Sequence, residues 1–242
     1  MGPLKNSGYA DYLGQNYHNK AKIESNSASI AEICNAEVVN LDIKMRAHKL
    51  LEGPITMIDN KTRCFGSNSQ IYADYHDDEW GKPIYDDIEL FEFLILEGAQ
   101  AGLNWETILK RREGYRKAFH GFDPVKVASM SDKELDLLRL DASIIRNKLK
   151  IYSARKNARV FLGIQKEFGS FAEFLWGFID YKPTINNWQS KEDVPATSTV
   201  SDKLSKELKS RGMSFVGSTI IYAYMQACGL VDDHVRDCWL KI

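Results

Sequence analysis

Cysteine is scarce in this chain: Cys34, Cys64, Cys228 and Cys238 are the four in 242 residues. They are too few and too scattered for a disulfide scaffold, which leaves metal ligation or plain burial as their use. Long apolar runs are missing as well. No segment approaches the roughly 18 apolar residues that a bilayer span requires, and the opening residues lack the apolar core of a secretory signal. An intracellular protein is expected, cytoplasmic if the source is bacterial. Neither sign of charge is in excess, because 32 Lys and Arg face 33 Asp and Glu for a net charge of -1. That balance argues against wholesale coating of nucleic acid and leaves room for a local basic face. What is present is enough apolar material, 44% of residues, for a real core in one large domain or two small ones.

Residues 1–60 differ from the rest. Met1 to Ser29 is rich in Asn, Ser, Lys and Tyr without periodicity and reads as disordered, whereas Ile30, Ile33, Val38, Leu41, Met45 and Leu50 recur at helical spacing and predict one amphipathic helix over Ile30 to Leu51. We therefore read residues 1–60 as an N-terminal extension and 61–242 as the functional domain. From Cys64 onward, helical patterns run over Asp87 to Gly98, Trp105 to Phe119, Asp123 to Ser129, Ser131 to Leu140, Ile144 to Phe168, Phe171 to Phe178, Ser201 to Ser210 and Ser214 to Cys228. Ser131 and Ser201 stand where helix N-caps are expected, the first with Glu134 three residues on. No fixed-period repeat or run of alternating strands appears, so the domain is mainly α.

Charge is uneven within it. Between Glu106 and Val160 there are fourteen Lys or Arg against seven Asp or Glu. Ile144 to Gln165 carries Arg146, Lys148, Lys150, Arg155, Lys156 and Arg159 with no acid. A basic run at a helix start suits phosphate oxygens, because unpaired backbone N–H groups and the helix dipole add to the side-chain charge; a solvated helix face is the plainer alternative. The segment LLRLDASIIRNKLKIYSA, residues 137–154, resembles the helix-hairpin-helix element of the DNA glycosylase superfamily, with Ser143 and Leu149 where smaller residues are usual. That resemblance places Ser143, Arg146, Lys148 and Lys150 against a DNA backbone.

His234 and Cys238 are spaced i, i+4 and would share one helical face, which suits a tetrahedral zinc ion. Cys64 and His76 at the start of the domain complete a Cys2His2 set drawn from its two ends. A filled set leaves no position for water, so the expected zinc is structural and joins the N- and C-terminal parts of the core. Chance spacing is the competing explanation for any single pair.

Tyr72 to Gly81 (YADYHDDEWG), Leu96 to Trp105 (LEGAQAGLNW), Phe122 to Val127, Phe215 to Thr219 and Met225 to Val231 together resemble the 3-methyladenine DNA glycosylase I family, in its order and over nearly all of 63–238. The resemblance implies a helix-hairpin-helix glycosylase fold and a monofunctional enzyme. Its expected activity is to hydrolyse the N-glycosidic bond of 3-methyladenine in double-stranded alkylated DNA. Tyr72, Tyr75, Trp80 and Trp105 would form its aromatic base pocket and Glu97 its buried carboxylate. Electron-rich walls and an acceptor carboxylate suit a cationic methylated base. That base leaves neutral and needs little acid catalysis. The aspartate that many relatives of the superfamily carry after the hairpin is absent, and nothing marks Lys148 or Lys150 as a lyase nucleophile. A monomer acting on DNA, with no membrane partner, is expected. The competing readings are a DNA-binding module that has lost excision and a zinc hydrolase, which would need an open coordination position.

Overall fold

The computed structural model describes residues 59–241; the helix expected over Ile30 to Leu51 lies outside them. Ten α-helices appear among the described residues, with two short strands, and no helix there is long and apolar enough to cross a membrane. The centre is α2, Asp87–Gln100, buried without interruption from Leu90 to Ala99. A helix apolar on every side must be enclosed by others. Around it lie α7 (Lys148–Phe168), α8 (Phe171–Trp176) and α10 (Ser218–Ala227). On α7, Ile151, Ala154, Ala158, Phe161 and Ile164 form one buried stripe, and Phe161 joins Phe91 and Phe171 at ring separations of 5.0 and 4.1 Å. Asp86 caps α2 by accepting from the N–H groups of Ile88 and Glu89, while Asp87 accepts from those of Phe171 and Ala172. One carboxylate pair thus sets the starts of two helices.

Several expected boundaries move, each for a local reason. The helix predicted from Trp105 to Phe119 is two, α3 (Trp105–Leu109) and α4 (Arg112–Ala118); Ile108 and Leu109 of the first and Tyr115 of the second are all buried. Ser131 caps α6 (Asp132–Leu138) in a complete capping box with Glu134. Ser201 is not a cap. It lies inside α9 (Thr199–Ser210), buried, where it closes a box begun by Ser198. The basic helix begins at Lys148 and not at Ile144, because Asn147 accepts from the Lys150 N–H and Ile144 is sunk into the core. The last helix starts at Ser218, after Phe215 with φ of +57°.

A helix that hydrophobic spacing did not announce, α1 (Gln70–Asp78), buries only Ala73, Tyr75 and His76. Helix α5, Pro124–Ser129, packs on α7. The strands β1 (Thr184–Ile185) and β2 (Val231–Asp232) pair in parallel, Thr184 opposite Val231, and hold the C-terminal segment beside α10.

Candidate functional site

The first consequence of α1 is that Tyr72 and Tyr75, one turn apart, look the same way. With Phe65, Trp80 and Trp105 they enclose a cavity of about 250 Å³ that Glu97 also lines. Tyr75 and Trp105 have ring centroids 5.4 Å apart, Phe65 and Trp80 5.0 Å, and Phe65 and Tyr72 4.8 Å. Glu97 arrives on the last turn of α2. Trp105 opens α3, whose N-cap Asn104 accepts from the Thr107 N–H. Both bring a buried polar atom that lacks a partner: the Oε2 of Glu97 and the indole Nε1 of Trp105. Buried polar groups are ordinarily satisfied, so an acceptor and a donor left open in one aromatic cavity suit a ligand that supplies their complements. Burial pushes the Glu97 carboxyl up to about 8, which favours its neutral form. Burial, followed by the charge of Glu97, raises the Tyr75 hydroxyl well above its ordinary range.

Immediately beside this cavity, Cys64, His76 and Cys238 bring their ligand atoms within 4.8 Å of one another. The His76 Nε2 lies 3.4 Å from the Cys238 Sγ. Each histidine of the expected ligand set has its Nδ1 2.8 Å from a carboxylate, His76 with Asp77 and His234 with Asp232. That contact directs Nε2 of each ring toward a ligand role. His234 is not within the compact trio; its ring stands 5.2 Å from that of His76, edge on, and its Nε2 is buried without a partner. Hydrogen bonds from Cys64 and then His76 hold the Cys238 thiol well below its ordinary range, while Cys64 is raised by its bond to Cys238. Gly81, at φ of +80°, makes room for this arrangement, since a Cβ there would lie 2.8 Å from the His234 Cε1. Trp80 touches both regions, stacked on His76 at 5.9 Å and edge on to His234 at 4.7 Å.

Within the hairpin, 137–154, residues 139–147 connect α6 to α7. The Ser143 N–H donates to Asp141, the Ile145 N–H donates to the Tyr115 hydroxyl, and Ile144 is the apolar plug. Ser143 is not in the left-handed region, so a side chain is tolerated in this turn. The accommodation is made opposite it, at Gly114, where a Cβ would come 2.4 Å from the Ser143 carbonyl oxygen. Leu149 is 70% exposed, so most of its bulk faces outward. Ser143, Arg146 and Lys148 are all on the surface. Lys150 is turned inward: its Nζ donates to the carbonyls of Ala99 and Ala101 at 2.7 and 2.6 Å. Of the four residues expected on a DNA backbone, it is the one whose charged group is bonded within the protein, to the carbonyls at the end of α2. Arg155 and Arg159 are likewise committed to backbone carbonyls, of Met130 and Ala128.

Phe65, Gln226 and Asp233 also line the cavity, and sequence reasoning missed all three. Phe65 adjoins Cys64, and Asp233 adjoins His234, so proximity to the candidate ligands was the available signal. Asp233 is 1% exposed and accepts from Asn186, Trp188, Tyr222 and Gln226, each at 2.7 Å.

A helical fold with a basic hairpin and an aromatic cavity holding an open carboxyl oxygen and an open indole N–H defines a class: proteins with an enclosed aromatic pocket equipped to hydrogen-bond a planar ligand. Residues 65–241 match the methyladenine glycosylase family. A DNA-3-methyladenine glycosylase of Haemophilus influenzae is 47% identical over 181 residues, which are 74% of this chain and 98% of that relative. Among solved structures, that of a 3-methyladenine DNA glycosylase I is similar with a TM-score of 0.73 at 45% identity, covering 75% of this chain and 100% of the other. A second, of a variant of such an enzyme in complex with 3-methyladenine, has a TM-score of 0.72 at 36% identity and covers 74% and 96%. The chain belongs to the methyladenine glycosylase family.

Proposed function

We infer that this protein is a DNA repair glycosylase that hydrolyses the N-glycosidic bond of 3-methyladenine in alkylated double-stranded DNA. The single observation that carries the reading is the cavity of about 250 Å³ in which the Glu97 Oε2 and the Trp105 Nε1 are buried and open. A methylated adenine still attached to its sugar is a cation. Tyr75, Trp80 and Trp105 present π faces to it, and the Glu97 carboxyl gains a reason to ionise when it enters. Normal adenine brings no such charge and leaves Glu97 to choose between a proton and an uncompensated anion.

Cleavage of the bond to C1′ sends its electron pair into the base, which departs neutral, and water supplies the hydroxyl that ends on the sugar and gives up its remaining proton to solvent. Glu97 binds the base and stabilises positive charge as it moves from ring to sugar. Tyr72 borders the cavity as a further wall. Ser143, Arg146 and Lys148 meet the DNA backbone. No lyase step is assigned, since Lys148 is exposed and Lys150 is bonded to carbonyls.

Cys64, His76, His234 and Cys238 fit a structural zinc ion: three of them cluster, the fourth offers a buried imidazole nitrogen with no other partner, and both imidazoles are oriented by carboxylates. Zinc bound there would supply cross-linking of the domain's two ends and no Lewis-acid chemistry. Those ends also meet directly, through the Trp239 N–H on the Thr62 carbonyl and the Trp239 indole on Asp77. We read residues 61–242 as the working unit and the protein as a monomer.

A DNA-binding module without activity would have no need to keep Glu97 and Trp105 unsatisfied. Release of free 3-methyladenine from methylated duplex DNA decides between the two: the parent releases it and Glu97→Gln and Trp105→Ala lose most of that release. A folded, zinc-loaded parent that binds the DNA and releases nothing makes the binding module correct.

A further inference from the structure

Helix α2 ends abruptly. Its C-cap Ala101 has φ of -41° and ψ of 114°, no backbone N–H of the cap closes the last turn, and the chain swings away through Gly102 at φ of +78°. The last carbonyls of a helix have no partner within it and need one from outside. Here the partner comes from the hairpin: Lys150, the third residue of α7, donates to both the Ala99 and Ala101 carbonyls. Asn147 fixes the other end of this bridge by accepting from the Lys150 N–H. A cation at this place also opposes the negative end of the α2 dipole.

The tethered turn is the one that carries Glu97, and four residues beyond Ala101 the chain delivers Trp105. We propose that Lys150 is a positioning residue for the pocket: by holding the end of α2 it keeps the Glu97 carboxyl and the Trp105 indole in register across the cavity, linking the hairpin to the base site. The inference rests on the base-excision reading above. Lys150 differs in kind from Arg146 and Lys148, its exposed neighbours, even though all three are basic residues in one hairpin. Burial lowers the pKa of the Lys150 ammonium, in keeping with a group turned from solvent.

The test compares Lys150→Met and Arg146→Ala with the parent, reading three quantities: affinity for free 3-methyladenine, single-turnover release from methylated duplex, and the salt dependence of duplex binding. Met keeps the aliphatic stem and removes the donors. A positioning role predicts that Lys150→Met binds the free base about tenfold more weakly and releases it up to about 100-fold more slowly, with the salt slope unchanged. Arg146→Ala should keep base affinity and lose about 0.9 from the slope, the amount expected for one phosphate contact. A Lys150→Met protein with parental base affinity and a shallower slope overturns the proposal. If that variant does not fold, Lys150→Gln, which retains a shorter donor, is read the same way and should fall between parent and complete loss. A parent that neither binds the base nor releases it overturns the function itself; a parent that does both, with a folded variant equal to it in both, overturns the tether alone.

Discussion

Two buried carboxylates border the same cavity and are treated in opposite ways. Asp233 accepts four hydrogen bonds, two on each oxygen. Glu97, 4% exposed, keeps an oxygen with no partner, and burial alone pushes its carboxyl up to about 8. A satisfied buried carboxyl group ties elements together, here the β1 segment to α10. An unsatisfied one is a cost that persists where a ligand relieves it. Function is legible in this difference more than in the burial of either group.

The comparison is broken most severely by Asp233→Ala. That change strands four donors and should cost about 3–5 kcal/mol, roughly 10 °C in melting temperature for a domain of this size. A variant melting with the parent would show that the four bonds are dispensable. Glu97→Gln should do the reverse, lowering single-turnover release about 100-fold while leaving the fold intact. Its effect on stability has a sign set by proton linkage. The folded carboxyl holds its proton up to about 8, against 4.5 for its ordinary value. The parent therefore has its full contribution below that lower value and loses stability as pH rises through the window. Glu97→Gln should flatten this decline and melt higher than the parent at pH 8.5, checked by thermal denaturation without ligand. An equal pH slope in both proteins would mean that the carboxyl is not held protonated.

The His234 Nε2 is a third open atom, and zinc is the ligand expected to close it. Metal present at about 100 times its Kd contributes about 2.7 kcal/mol, so a chelator should lower the melting temperature by several degrees. Release measured well below that temperature should change little. Loss of activity in a still-folded, metal-free protein would favour a catalytic ion. The smallest expected effect sharpens the comparison furthest. Trp105→Phe keeps an aromatic wall and removes the open indole N–H, so the unliganded protein should melt no lower while affinity for 3-methyladenine falls about fivefold, or about 1 kcal/mol. Unchanged affinity would mean that the indole acts by stacking alone.

Much of this was legible in advance because it depends on local pattern. The long helix α7 was expected from its apolar spacing, the α6 cap from Ser131 and Glu134, and the pocket residues from motifs that keep Tyr72, Tyr75, Trp80, Glu97 and Trp105 in a recognisable order. Helix α1 was not, since three buried positions in nine residues make too weak a stripe to register. The Ser201 cap was misplaced because capping residues recur every three positions there, and only burial decides that Ser198 stands outside the helix. Lys150 was grouped with its basic neighbours because charge can be read along a chain whereas the carbonyls of Ala99 and Ala101, about fifty positions away, cannot.

Residue types and their spacing by themselves determined a mainly helical protein, an aromatic and acidic motif set, a Cys and His pair at each end of the domain, and a basic hairpin. Tertiary structure alone decided which buried polar atoms found partners. It closed Asp233 with groups from two segments, left Glu97, Trp105 and His234 open, and turned one lysine of the hairpin inward. Hydrogen bonding is short-ranged and directional, so whether a group is satisfied depends on atoms within about 3 Å of it, and those come from parts of the chain that only folding brings together.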